Sequence, residues 1–228
     1  MLQKDLILRN PLQLLSRRSE DQLQAGQFGA VLARAGVGKT AFLVQVALNS
    51  LLRDQNVLHI SLDDPVHKVS LWYKEVFRLI ADQYETSPTS DVWQNLLPHR
   101  FIMTFKVEGF SVPKLKERLT DLTSQEIFRP DMIIIDGLPF DLSTRDVLME
   151  IKAHAKSMAV PLWLTVLTHR HEKAGSDGLP VQLDSTSDLF EAIIQLQPKA
   201  DKVHIRALKP ASEQSLLLDP QTLLIKDL

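Results

Sequence analysis

The sequence predicts an α/β domain with a mostly parallel central sheet, helices on both faces and a C-terminal β-hairpin. Three observations predict it. Short apolar runs alternate along the 228 residues with longer segments whose apolar positions recur at helical spacing. A glycine turn, Ala33-Arg34-Ala35-Gly36-Val37-Gly38-Lys39-Thr40, joins the first apolar run to a long apolar segment free of Gly and Pro, which reads as strand, tight loop, helix. Two later apolar runs end in acids, Asp63-Asp64 and Asp136, and in open α/β sheets ligands sit at the carboxyl edge of the strands.

Taken in order, residues 1–28 mix Leu with polar and charged side chains and read as an ordered lead-in, with Gly26 marking the turn into the first strand. The polar break Arg53-Asp54-Gln55-Asn56 ends the first helix, and Val57 to Leu62 forms a buried strand. Residues 66–81 place Val69, Trp72, Val76, Phe77 and Ile80 at helical spacing, so their aromatic rings belong to the core. The polar, Pro-punctuated stretch 82–99 holds a short helix near Val92–Leu97, and Phe101 to Phe105 is the next strand. A helix over 113–128 follows through Leu115, Leu119, Leu122 and Ile127. Asp131 to Asp136 is then a fully buried strand with a carboxylate at its tip. Residues 146–158 form an amphipathic helix, and Pro161 to Leu167 the next buried strand. The polar stretch 171–188, with Gly175 and Gly178, has the composition of a loop. Ala192–Leu196 and Val203–Leu208 are the last core strands, and Leu216–Leu218 with Leu223–Ile225 forms the terminal hairpin. No repeat, linker or low-complexity segment divides the chain, which reads as one domain over 1–228.

Composition narrows the functional classes. Hydrophobic content of 44% and charged content of 24% are those of an ordinary globular protein. A net charge of −2 gives no support to a nucleic-acid-binding surface. With no cysteine, disulfides and thiolate metal sites are excluded. No uncharged apolar run approaches the roughly 18 residues of a membrane span, and the N-terminus carries Lys4, Asp5 and Arg9, unlike a secretory signal. A cytoplasmic location without membrane contact is expected.

The glycine turn has the chemistry of a phosphate-binding loop. Gly36 and Gly38 let the backbone turn sharply and aim its N–H groups at phosphate oxygens. The helix beginning near Lys39 adds the positive end of its dipole. Lys39 reaches the β- and γ-phosphates of such a ligand, while the Thr40 hydroxyl ligates Mg²⁺ and Asp136 binds the ion's water shell. An ordinary strand-to-helix turn is the competing reading of the glycines, and the later strand ending in Asp136 argues against it. Asp64 reads as a helix cap or outer-layer residue before Pro65. His169 and His171, with Glu172 adjacent, read as loop residues because no third ligand cluster accompanies them.

Together these residues resemble the RecA-type ATPase core, and within it the motor domain of DnaB-type hexameric replicative helicases. Ala33 to Phe42 resembles that family's A-R-P-x-x-G-K-T-A-F segment, in which Ala often replaces the first glycine of the general pattern. Ser61-Leu62-Asp63 resembles its S-L-E, Gly109-Phe110-Ser111-Val112 its G-x-S-V/I segment, Val160-Pro161 its N-V-P-V, and Ser185 to Leu196 its S-D-L-x-x-x-x-x-I. The resemblance implies ATP and Mg²⁺ as ligands, with Arg34, Ala35, Gly36, Val37, Gly38, Lys39, Thr40 and Ala41 around the nucleotide. It also implies Asp63 as the base that activates the attacking water, and a homo-oligomer, ring or dimer. Lys209 corresponds to the lysine of a late K-x-R that reaches a neighbouring subunit's nucleotide, and Thr168 stands nearest the family's phosphate-sensing Gln. DNA would be a further partner.

The departures predict weaker chemistry. Asp63 is one methylene shorter than Glu. Asp136-Gly137-Leu138-Pro139 stands where the family has D-Y-L-Q, and Lys209-Pro210-Ala211 keeps the lysine while losing the arginine. An arginine finger contributes orders of magnitude to phosphoryl transfer. Arg206 is an alternative reach across an interface or an ordinary strand residue. The expected function is therefore an ATPase that is slow alone and stimulated by a partner or by assembly. The alternatives are an ATP-binding adaptor with little turnover and a DNA-dependent translocase, for which 171–187 offers only His171 and Lys173 as basic candidates.

Overall fold

Each short apolar run forms a strand. The structure, a computed structural model, describes residues 23–83, 90–140, 144–169, 179–200 and 202–226. Expectations for the lead-in before residue 23 and for His171, Glu172, Lys173, Gly175 and Gly178 lie outside them. The strands are β1 (Phe28–Ala33), β2 (Val57–Ser61), β3 (Arg100–Thr104), β4 (Met132–Asp136), β5 (Leu162–Leu167), β6 (Ala192–Lys199), β7 (Lys202–Lys209), β8 (Ala211–Leu218) and β9 (Ile225–Lys226). The helices are α1 (Lys39–Leu51), α2 (Val66–Gln83), α3 (Ser90–Leu96), α4 (Val112–Ser124) and α5 (Thr144–Met158).

One sheet runs in the order β3-β2-β4-β5-β1-β6-β7-β8-β9. Pairing is parallel from β3 through β6 and antiparallel from β6 onward. The chain moves from β1 through β2 to β3 in one direction and from β3 through β4 to β5 in the other. Because parallel crossovers are right-handed, the reversal places the intervening helices on opposite faces. The packing follows: α1, α2 and α3 cover Val31, Val57, Ile134 and Trp163, while α4 and α5 cover Leu32, Leu58, Ile133, Ile135 and Leu164. Neighbours in sequence such as Ile133 and Ile134 serve opposite cores, which is why β4 reads as an unbroken apolar run.

The departures from expectation lie at element ends and in the last quarter. Helix α4 stops at Ser124, so Ile127 lies beyond it and is exposed rather than on its buried face. On α2 the largest fully buried side chain is Tyr73, while Trp72 and Ile80 are only partly buried. Stretch 181–189 is not open loop: it forms two short 3₁₀ turns, Val181–Leu183 and Ser187–Leu189, and Leu183 is fully buried. The terminal hairpin is part of a longer antiparallel meander, because β8 begins at Ala211, immediately after the cis Lys209–Pro210 bond, rather than at Leu216. Of the described residues, no helix is long and apolar enough to cross a membrane.

Candidate functional site

Parallel pairing brings the carboxyl ends of β1, β2, β4 and β5 to one edge. Ser61 is level with Asp136, and Ala33 with Leu167. Around this edge lies a cleft of about 860 Å³, lined among others by Gly36, Lys39, Thr40, Asp63, Asp136 and Thr165. These residues arrive from four separate elements.

The glycine turn between β1 and α1 takes a backbone that side chains resist. Gly36 has φ of 75° and Gly38 φ of 108°, both in the left-handed region that favours glycine. A Cβ on Gly38 would also press to 3.2 Å from Leu223. Gly38 precedes α1 without any side-chain cap, and the helix has no acid in its first turn. Its first residues, Lys39 and Thr40, border the cleft, and its first N–H groups have no anionic side chain of their own, so a phosphate would complete them. Lys39 folds back over the turn, its Nζ donating to the carbonyls of Ala33 at 3.2 Å and Arg34 at 3.3 Å. Burial draws this ammonium below the usual lysine range, against the opposing pull of Asp136 and Asp63.

Asp136 is the hub. Its Oδ2 accepts a hydrogen bond from the Thr40 hydroxyl at 2.6 Å, between residues 96 apart in sequence. Its Oδ1 accepts from the Thr165 hydroxyl at 2.7 Å, and Thr165 in turn accepts from the Gly137 N–H at 2.9 Å. Strand β5 separates β4 from β1, so Thr165 fills the gap between the loop and the carboxylate. Beneath Asp136, the fully buried His59 points its Nε2 at Oδ2 from 3.9 Å, with no hydrogen-bond partner. The other imidazole nitrogen lies 3.1 Å from the Tyr73 hydroxyl. Burial pushes His59 down to about 4, so the ring is neutral.

Asp63 projects from the loop after β2. An added Cβ on Gly137 would stand 2.5 Å from Asp63 Oδ2, and Gly137 has φ of 87°. The glycine after Asp136 is thus what allows the Asp63 carboxylate to lie against the end of β4. Burial first, then Asp136 and Asp64, raise Asp63 above the usual carboxylate range, while Lys39 and Lys68 lower it.

The chain matches no protein-family model, and no curated protein matches it.

Two hard oxygen donors within 2.6 Å of each other, Thr40 and Asp136, suit Mg²⁺ when phosphate and water complete its shell. Among the described residues no cluster of three or more His, Cys, Asp or Glu could hold an ion alone. His169 stands in the cleft lining without such a cluster.

The remaining expected residues divide between the cleft wall and its surroundings. Arg34, Val37 and Gly38 shape the turn and Ala41 is buried in α1, whereas Ala35, Gly36, Lys39 and Thr40 face the cleft. Thr168 is not among the cleft-lining residues. Its N–H donates to the Ala33 carbonyl at 3.0 Å, and its neighbours Leu167 and His169 face the cleft instead. Lys209, too, is away from the cleft, its Nζ donating to the Ser187 carbonyl at 3.1 Å. Asp64 forms an i,i+4 ion pair with Lys68 at 2.7 Å, and its N–H bonds the Ser61 hydroxyl at 2.9 Å. Arg206 is exposed on β7.

Sequence reasoning missed Thr165, His59 and the role of Gly137. A signal existed for the first two. Thr165 is the lone polar side chain in its buried run and His59 shares its run only with Ser61, and a buried polar group needs a partner.

Proposed function

We propose that this protein is a Mg²⁺-dependent, ATP-binding ATPase of the RecA/DnaB-like type, slow alone and stimulated by a partner or by self-assembly. The observation that carries the reading is the 2.6 Å contact between Thr40 and Asp136, which joins the glycine loop to the acid-tipped strand as a magnesium-nucleotide site requires. The bare N-terminus of α1 and the neighbouring Lys39 supply the complement to a phosphate chain. The reversal of the chain's progression across the sheet at β3 and the antiparallel extension beyond β6 support the RecA-like assignment.

In this mechanism the backbone N–H groups of the loop and Lys39 cradle the β- and γ-phosphates and offset the charge that develops on them. Mg²⁺, which Thr40 and Asp136 would hold, supplies further charge neutralisation. Asp63 accepts the proton of the attacking water, and its elevated proton affinity favours that role. Gly137 keeps space for the Asp63 carboxylate, and Thr165 fixes the rotamer of Asp136.

A second reading, an ATP-dependent switch with little turnover, is favoured by Lys209, whose Nζ bonds the carbonyl of its own chain's Ser187 instead of extending toward a neighbouring subunit. Steady-state hydrolysis and fluorescent-nucleotide binding, each with Mg²⁺ and with or without single-stranded DNA, test the proposal. Turnover that both Lys39→Ala and Asp63→Ala abolish supports the ATPase. Tight binding with turnover no faster than in Asp63→Ala makes the protein a switch. Stimulation by DNA would bring the translocase forward, and absence of nucleotide binding would overturn all three.

A further inference from the structure

We propose that His169 contacts the terminal phosphate of the bound nucleotide and takes up a proton as it does so, supplying a positive charge that the cleft otherwise lacks. The inference rests on the phosphate-loop reading above. It starts from the charges around the cleft. Among the described lining residues Lys39 is the one lysine or arginine, and Asp63, Asp64 and Asp136 stand against it. Burial also draws the Lys39 ammonium below the usual lysine range. A triphosphate set beside three carboxylates carries more negative charge than one lysine, one Mg²⁺ and a helix N-terminus offset. The imbalance favours any group there that can become positive. Histidine is the side chain whose charge changes near neutral pH, and His169 is the histidine that lines this cleft.

The chain leaving β5 carries His169 to the phosphate end. Thr165, Leu167 and His169 line the cleft whereas Val166 and Thr168 do not, which is the two-residue alternation of an extended chain. The series begins at Asp136, to whose Oδ1 Thr165 donates at 2.7 Å. Level with Leu167 is Ala33, and the Ala33 carbonyl accepts from two nitrogens, Lys39 Nζ at 3.2 Å and the Thr168 N–H at 3.0 Å. The backbone just before His169 therefore meets, on one oxygen atom, the ammonium assigned to the β- and γ-phosphates. Leu167 and His169 are both exposed, so a ligand reaches them without disturbing the core. The imidazolium donates from both ring nitrogens, so the contact asks for no particular tautomer. A phosphate beside the ring favours its protonated form, and the charge-assisted bond that results is stronger than one from a neutral donor. Loss of the terminal phosphate removes the anion, and the proton leaves with it.

The test is isothermal titration calorimetry on the full chain with Mg²⁺ and either a non-hydrolysable ATP analogue or ADP. Titrations at one near-neutral pH, in buffers of different ionisation enthalpy, read affinity and proton uptake together. Lys39, Asp63, Asp64 and Asp136 face the same cleft and remain in every variant, so the readout is the difference between wild type and H169A or H169Q. Wild type should take up more protons with the ATP analogue than with ADP, and neither variant should show that excess. Affinity for the analogue should fall roughly 10-fold or more in H169A and recover in part in H169Q, whose amide donates without charge. ADP affinity should be unchanged in both. Equal losses for the analogue and ADP would assign the effect to the shape of the cleft wall and overturn the inference. An undiminished proton excess in H169Q, or wild-type analogue affinity in H169A, would overturn it as well while leaving the phosphate loop in place. Wild type that binds neither nucleotide defeats the phosphate-loop reading itself, and the inference with it.

Discussion

Asp63 is destabilised by the site it serves. Its raised proton affinity means the folded state prefers the protonated acid, so the stability this group contributes is present below the ordinary carboxylate range and lost as pH rises through its elevated pKa. In its ionised form the carboxylate is held near Asp136 and Asp64 at a cost. Asp63→Asn should therefore raise the melting temperature at pH 7, with the gain disappearing near pH 3, while abolishing hydrolysis under the proposed mechanism. Differential scanning fluorimetry across pH reads the first part, and a melting temperature that falls at pH 7 would refute it. Gly137 gives the complementary case. With φ of 87° and Asp63 Oδ2 2.5 Å from where a Cβ would stand, Gly137→Ala should cost on the order of 1–3 kcal/mol and displace Asp63. Urea denaturation should detect the cost, and nucleotide binding should survive where turnover does not.

At the scale of elements, strand β1 depends on a missing side chain. A Cβ on Gly29 would stand 2.5 Å from the Trp163 ring of β5, and Trp163 is 2% exposed. Gly29→Ala must push a packed indole out of place, at roughly 1–3 kcal/mol; a lowered urea midpoint with unchanged slope is the expected result. This contact also illustrates what was legible. The order of strands and helices, the acid-tipped β2 and β4, and the loop around Lys39 and Thr40 could be read because local periodicity and turn chemistry dictate them. The partners across the sheet could not. Nothing local says that β5 lies between β1 and β4, and only that order brings Thr165 to Asp136 and keeps Thr168 out of the cleft. Likewise Ala211 to Ser215 carries no apolar alternation, and it becomes strand because β7 offers it an open edge. Ile127, eight residues after Leu119, extends the apolar pattern past the helix end, while the chain turns after Ser124 with Glu126 at φ of 55°.

For the whole molecule, the site is assembled from β1, β2, β4, β5 and the start of α1, so any ligand bridging them must stabilise the entire sheet. The last strands belong to the same unit: Gln45 on α1 donates to the Leu223 carbonyl at 2.7 Å, and Gly38 packs beneath Leu223. Mg²⁺-ATP at 100 times its dissociation constant should add about 2.7 kcal/mol to stability, a rise of several degrees for a domain of this size, in one cooperative transition. Lys39→Ala should remove that rise without creating a second transition. Lys209→Ala should behave differently, because Lys209 bonds Ser187 away from the cleft. Its nucleotide-induced stabilisation should equal that of the wild type. If self-assembly supplies the stimulation, turnover per chain should rise with protein concentration in the wild type, and less steeply in Lys209→Ala. Turnover independent of concentration in both would leave stimulation to a different partner and remove Lys209 from the chemistry.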